Sequence, residues 1–249
     1  MINRNELAAY CTMTGFNPSQ AERDYLQHLF LLFLSEHATD QLVFKGGTAL
    51  QKVYGLNRAS IDLDFTQRND ADLKELMQRI AESITLFGYK TEIKELETAG
   101  KTFILKIEGP LYSGNPVSLC SLRIEISQRE SVLLKPNLKE VTPVYRDLRP
   151  YLVLVMNEAE ILAEKVRAIM TRNKPRDVYD IHFLIRKDVK PDIEFINKKL
   201  NYYKEKYDAK SFTAKLKEKK KLWDTEMKKY VTHLPDFDTV FGEIMKKMS

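Results

Sequence analysis

The chain has 249 residues, with 40 lysines and arginines against 35 aspartates and glutamates, a formal net charge of +5 and 43% hydrophobic side chains. That balance excludes wholesale disorder, and the longest apolar run, Leu29 to Leu34, falls far short of the ~20 residues a membrane-crossing helix needs. Two cysteines, Cys11 and Cys120, cannot build a disulfide framework, no CxxC or HExxH spacing points to zinc, and the first residues lack the layout of a signal peptide. A soluble, cytoplasmic protein without membrane contact is the expectation.

Residues 3–14 and 18–37 read as helices, with Pro18 where a first-turn proline is tolerated and Leu26, Leu29, Phe30, Phe33 and Leu34 recurring at helical spacing. Leu42-Val43-Phe44 suits a short buried strand. Lys45-Gly46-Gly47-Thr48 breaks it, and 49–54 reads as a short helix. Ile61-Asp62-Leu63-Asp64-Phe65 alternates apolar and acidic, the period of a strand. Asp70 and Asp72 are candidate caps of a helix that runs to about Phe87 and stops at Gly88. Strands follow at 89–97, 102–108 and 117–128, separated by Gly100 and by the turn residues from Gly109 to Pro116. After Pro150 only helical patterns remain. Asn157 with Glu160 resembles a capping box opening a helix to about Arg172, and further helices are expected at 176–187, 191–204, 209–230 and 237–247. The expected class is α+β: a mixed β-sheet domain with flanking helices over 1–150, and a helical domain over 151–249.

Asp62 and Asp64 are the sharpest chemical feature. Two apart on a strand, their carboxylates point to one face and repel unless a cation sits between them. Magnesium suits such a pair, since it prefers carboxylates plus substrate phosphates. A lone Asp-x-Asp is more often solvent-facing, but here Ile61, Leu63 and Phe65 mark a strand at the core. Gly46-Gly47, between strand and helix, lets the backbone approach a ligand and aims helix-start amides at an anion, with the Thr48 hydroxyl as a further donor. The competing reading is an ordinary tight turn with Thr48 as cap. Glu125, in the alternating run Arg123 to Ser127, is either a third metal-binding carboxylate or a strand glutamate paired with Arg123 or Lys106.

From Lys204 to Lys229 ten lysines crowd the chain, diluted by five acidic residues. The stretch is a solvated helix face or a track for a phosphate backbone. His28, His37, His182 and His233 show no metal-ligand spacing, and His182 is expected to pack beside Tyr179 and Phe183. Tyr202, Tyr203 and Tyr207 read as core of the helical half or, among the lysines, as rings for bases to stack on; Trp223 reads as a core anchor.

Phe44 to Leu50, Tyr54-Gly55-Leu56, Arg58, Ser60 and Asp62 to Phe65 together resemble the first motif of the AbiEii/AbiGii nucleotidyltransferase toxins, within the DNA polymerase β-like nucleotidyltransferase superfamily. Glu164 to Ala168, Arg172 and Pro175 to Ile181 are similar to the family's second segment. The resemblance implies magnesium-dependent transfer of a nucleoside monophosphate from an NTP to an acceptor, with RNA (the tRNA 3′ end) as the expected one, in a type IV toxin–antitoxin or phage-defence system with a cognate antitoxin. It also implies roles: Lys45, Gly46, Gly47, Thr48, Arg58, Arg172 and Arg176 for the nucleotide; Asp62, Asp64 and Glu125 for two metals; Lys165, Asp177 and Asp180 to complete the site. Lys165 and Arg172 are seven apart and share a helix face, as do Asp177 and Asp180, three apart. The same four residues could instead form an inter-helix ion-pair network. Two other outcomes remain open: transfer to a protein hydroxyl, and nucleotide binding without turnover.

Overall fold

The computed structural model describes residues 1–38, 40–97 and 100–248. The chain divides into two compact units. The first comprises Met1–Tyr54, Ala59–Val132 and Pro136–Val155; the second comprises Gly55–Arg58, Leu133–Lys135 and Met156–Ser249.

In the first unit the helices are α1 (Arg4–Thr14), α2 (Pro18–His37), α3 (Gly46–Tyr54) and α4 (Leu73–Phe87). Its strands are β1 (Leu42–Lys45), β2 (Leu63–Gln67), β3 (Thr91–Glu97), β4 (Lys101–Ile107), β5 (Cys120–Ser127), β6 (Asn137–Val141) and β7 (Tyr151–Val155). Local chemistry sets the helix ends. The Asn17 side chain accepts from the Gln20 amide with Pro18 in the first turn of α2, Asp72 accepts from the Glu75 amide at the start of α4, and Gly88 ends α4.

The strands form one mixed sheet in the order β3-β4-β5-β2-β1-β7-β6. β1 runs antiparallel to β2 and parallel to β7, and β2 runs parallel to β5. Strands β6 and β7 were not expected. β6 is short, polar and mostly exposed, so it carries no alternation to read; β7 directly follows Pro150, where the sequence predicts the onset of the helical half. Both edges of the sheet lie far from β2, which sits at its centre. One face of the central strands is dry: Leu63, Phe65, Leu122, Ile124 and Ile126 are at most 2% exposed. α2 packs on that face, and the Phe44 and Phe65 rings meet at 5.2 Å. Because strand side chains alternate, the opposite face receives Asp64, Arg123 and Glu125.

A polar cluster is buried beneath the same helix. Asp24 pairs with Lys52 and accepts from Gln51 and Tyr145, each at 2.8 Å. His28 Nδ1 lies 2.8 Å from the Tyr151 hydroxyl. Burial, reinforced by the Lys52 charge, lowers the His28 pKa to about 3.

The second unit is helical: α5 (Glu158–Thr171), α6 (Pro175–Arg186), α7 (Ile193–Asn201), α8 (Ala209–Glu218), α9 (Lys220–Met227) and α10 (Phe237–Met248). The single helix expected over 209–230 breaks at Lys219, whose side chain is buried. Asn157 caps α5 by accepting from the Ala159 amide, but Glu160 does not close a capping box. It is fully buried, accepts from the Leu133 and Leu134 amides at 2.9 Å each, and pairs with Lys199 at 2.6 Å. Lys199, also fully buried, reaches Glu164 at 3.1 Å as well. Glu160 thus ties the short 133–135 segment to α5. Trp223 anchors the core as expected, its indole N–H donating to the Pro235 carbonyl.

Candidate active site

The first-unit candidates converge on the face of the sheet away from α2. Asp64 on β2 stands directly opposite Lys45 on β1 and Glu125 on β5, and residues opposed across neighbouring strands share a face. Asp62, two residues earlier, lies just before β2, where the Thr48 hydroxyl holds its carbonyl. Both aspartates are half-buried, while Leu63 and Phe65 between and beyond them point into the core. The Lys45 ammonium lies 3.7 Å from Glu130, a buried carboxylate that no sequence pattern had singled out.

The glycine pair is not a separate loop. β1 passes straight into α3, and Gly46 is the first helical residue, with a φ of +74° that favours glycine. A Cβ there would fall 2.5 Å from Asp64 Oδ2. The close approach that the glycine permits is therefore made by the protein's own carboxylate, against the partly positive start of α3. Gly47 is buried in the same turn. Thr48 departs from its expected role as a phosphate donor. It is fully buried; its hydroxyl donates to the Asp62 carbonyl and lies 2.6 Å from Ser60 Oγ. That bond fixes the backbone from which Asp62 projects, and no hydroxyl is left pointing outward.

Glu125 makes the pairing with Arg123 that the sequence left as one of its two readings. Its carboxylate is engaged by the Arg123 guanidinium from the same strand face. Among the described residues, no group of three or more His, Cys, Asp or Glu side chains is arranged to hold a metal ion. Two accessible carboxylates do fit magnesium, which takes one or two protein carboxylates and completes its shell with water and phosphate oxygens.

In the second unit, Arg58, Lys165, Arg172, Asp177 and Asp180 form one ion network. Arg58 grips Asp180 through two bonds, of 2.7 and 2.8 Å. Lys165 sits between the acids, 3.0 Å from Asp177 and 2.7 Å from Asp180. Arg172 grips Asp177 through two bonds of 2.8 Å. Both aspartates are fully buried. Burial pushes the pKa of Asp177 up, but Lys165 and Arg172 outweigh it and hold the carboxyl well below its usual range; Arg58 and Lys165 do the same for Asp180. The ion-pair network that the sequence left as an alternative is thus present. Each of the two acids meets two of the cations. Lys165 is itself only 6% exposed, whereas Arg172 and Arg176 reach solvent.

The lysine-rich stretch is less open than its composition implies. Lys219 is buried, Lys215 donates to the Met170 carbonyl, and Lys220 pairs with Asp238. Lys204, Lys206, Lys210, Lys221 and Lys228 are exposed. Tyr207 packs on Phe212, and Tyr203 lies under the Arg167 guanidinium at 4.5 Å. His182 is buried and its Nε2 lies 2.8 Å from a Glu243 carboxylate oxygen. Among the described residues no helix is long and apolar enough to cross a membrane.

A mixed sheet that presents paired aspartates beside the glycine start of a helix, followed by a helical unit, is the layout of a nucleotidyltransferase. The family model for the nucleotidyl transferase AbiEii toxin, type IV toxin–antitoxin system, matches residues 31–243, and the chain belongs to that family. It is a nucleotidyltransferase of toxin–antitoxin type. The fold is similar to that of MenT4, a nucleotidyltransferase toxin from Mycobacterium tuberculosis, at a TM-score of 0.68 and 17% identity over 100% of this chain and 89% of that one. It is also similar to JHP933 from Helicobacter pylori, at a TM-score of 0.58 and 20% identity over 92% and 90% of the two chains. No curated protein sequence matches the chain significantly.

Proposed function

We propose that the chain moves a nucleoside monophosphate from an NTP to the 3′ end of an RNA, tRNA in particular, with Mg2+ held by Asp62 and Asp64 and a cognate antitoxin restraining the activity. The observation that carries this reading is Asp64: a half-buried carboxylate on the polar sheet face, two residues from a second one, with its oxygen against the glycine that opens α3. Mg2+ on that pair would offset negative charge on the α-phosphate. The amides of Gly46, Gly47 and Thr48 suit the β- and γ-phosphates, since a helix start binds anions, and Lys45 adds charge beside them. Lys165, Arg172 and Arg176 supply further positive charge, with Asp177 and Asp180 fixing the first two. The acceptor hydroxyl oxygen bonds to the α-phosphorus, its proton leaves to water, and the bond to pyrophosphate breaks. The exposed lysines between 204 and 228 suit an RNA backbone.

The test is incubation with each of the four labelled NTPs, Mg2+ and total RNA. Wild type is expected to label RNA, and Asp62→Ala and Asp64→Ala are expected not to. Undiminished labelling by both variants refutes the site, and label on protein instead of RNA refutes the acceptor.

A further inference from the structure

β3 ends the sheet, with β4 as its neighbour on one side. Just before the ladder the Glu108 amide donates to the Lys90 carbonyl, and opposed residues of an antiparallel pair alternate between bonded and non-bonded. Glu92 and Lys94 therefore turn their amides and carbonyls to β4, while those of Thr91, Ile93 and Glu95 point away from it. The Thr91 amide agrees with this, donating at 3.2 Å to the Thr85 hydroxyl of α4. Along the edge runs a groove of about 650 Å³, whose lining includes Ala81, Glu82, Thr85 and Leu86 of α4 with Thr91 and Ile93 of β3. Leu86 is 88% exposed, and Ile93, which shares its face with buried Leu105, is half-buried.

We propose that this edge pairs with β3 of a second copy of the chain, antiparallel about a two-fold axis at Ile93, so that the two sheets become one. Charge selects that occupant and that register. A two-fold contact that continues a sheet keeps every side chain on its own face, so its axis passes through a residue. Within β3, Thr91–Glu97, overlaps of five residues or more centre on Ile93, Lys94 or Glu95. A centre on Lys94 or Glu95 sets that charge against its own copy, which is unfavourable. The Ile93 centre instead sets Glu92 of each copy opposite Lys94 of the other, and Ile93 opposite Ile93. Both charged side chains are exposed, and the neighbour of Lys94 on its own β4 is the uncharged Ile104. Glu92 then stands between Lys106 of its own β4 and Lys94 of the second copy. These are non-bonded pairs, the kind in which side chains come closest, while the outward amides and carbonyls of the two Ile93 residues supply the backbone bonds. Charges on an edge ordinarily oppose pairing; those of β3 oppose the alternative registers and favour one. The two Ile93 side chains meet on the face that lines the groove.

The experiment is sedimentation equilibrium of the full chain at micromolar concentrations. Wild type is expected to dimerise. Glu92→Lys and Lys94→Glu each set like charges opposite one another twice, and each is expected to weaken the dimer at least about tenfold. Mixed in equal amounts, the two single variants are expected to associate as tightly as wild type, because every charge then meets its opposite across the axis. The double variant Glu92→Lys, Lys94→Glu is expected to dimerise on its own for the same reason. A wild type that stays monomeric, as it would if the edge received a strand of another protein, would overturn the inference. So would a dimer that both single variants leave intact, or a mixture no tighter than its components. Circular dichroism of each variant checks that the sheet is formed.

Discussion

The two charged clusters use the same kinds of side chain to opposite ends. On the sheet face of the first unit, Asp64, Arg123 and Glu125 are half-exposed, and so is Asp62 just before β2. In the second unit, Arg58, Lys165, Arg172, Asp177 and Asp180 surround two fully buried carboxylates, each gripped by two cations. Burial decides what a cluster is for. Desolvated charges must be matched within the fold, because an unmatched one is expensive; charges left wet can exchange their partners for an ion from outside.

The sharpest way to break that distinction is in the buried cluster. Asp180→Ala leaves Arg58 and Lys165 facing each other without their shared partner. A loss of about 3–5 kcal/mol in denaturant unfolding is expected, the usual cost of stranding one side of a buried pair. The sign with pH follows from the lowered pKa of both aspartates. A carboxylate whose folded pKa lies below its unfolded value stabilises the fold above the unfolded value, about 3.9, and that stability drains as the pH falls towards the folded value. Acid titration of the wild type monitored by Trp223 fluorescence should show the loss, and the Asp180→Ala curve should be flatter.

The open cluster should respond in activity and not in stability. Asp64→Asn keeps the shape and removes one of the repelling charges, so the unfolding midpoint is expected to hold or rise slightly. Transfer of labelled nucleotide is expected to drop at least about 100-fold, because a metal's charge stabilisation amounts to several kcal/mol and each 1.36 kcal/mol is tenfold. A variant that lost stability and kept its activity would assign Asp64 to the architecture instead.

The third comparison asks whether burial or membership of a unit sets the behaviour. Asp24, Lys52 and His28 form a buried cluster in the first unit, and they should act like the second unit's network. With a folded pKa of about 3 against 6.5 unfolded, His28 favours folding above pH 6.5 and ceases to as the pH falls. The unfolded state takes up the proton first, which lowers stability by about 2 kcal/mol at pH 5. His28→Gln, which retains a partner for Tyr151, is expected to reduce the slope of Tm between pH 7 and pH 5. An unchanged slope would place the proton uptake elsewhere.

What the sequence disclosed follows the same divide. α2, α4 and the caps at Asn17 and Asp72 were legible because periodicity and capping are local. The strand carrying Asp64 was legible because apolar and acidic residues alternate along it, although it begins only at Leu63, one residue after Asp62. Burial is not local. Spacing put Asp177 and Asp180 on one helix face but could not say that face was dry, and it could not say that Thr48 turns inward to the Asp62 carbonyl or that Glu125 turns to Arg123. β6 and β7 were missed for a related reason: their strand character comes from partners more than ninety residues back in β1 and from each other.

Gly46 lies where the two properties meet, and its substitution should touch both by the smallest amounts. Its φ of +74° makes any side chain strained, and the backbone alone accounts for about 1–2 kcal/mol. The added methyl of Gly46→Ala would also collide with Asp64 Oδ2, and the carboxylate can yield only by rotating away from the start of α3. A modest fall in the unfolding midpoint is therefore expected together with weaker Mn2+ binding, since the displaced oxygen belongs to the carboxylate proposed to hold the ion. The Asp64→Asn, Gly46→Ala double variant separates the two effects. If the glycine acts on the ion through Asp64, adding Gly46→Ala to Asp64→Asn costs stability again but weakens Mn2+ binding no further; a full additional loss of binding would mean that the helix start meets the ion's ligands without that carboxylate as intermediary.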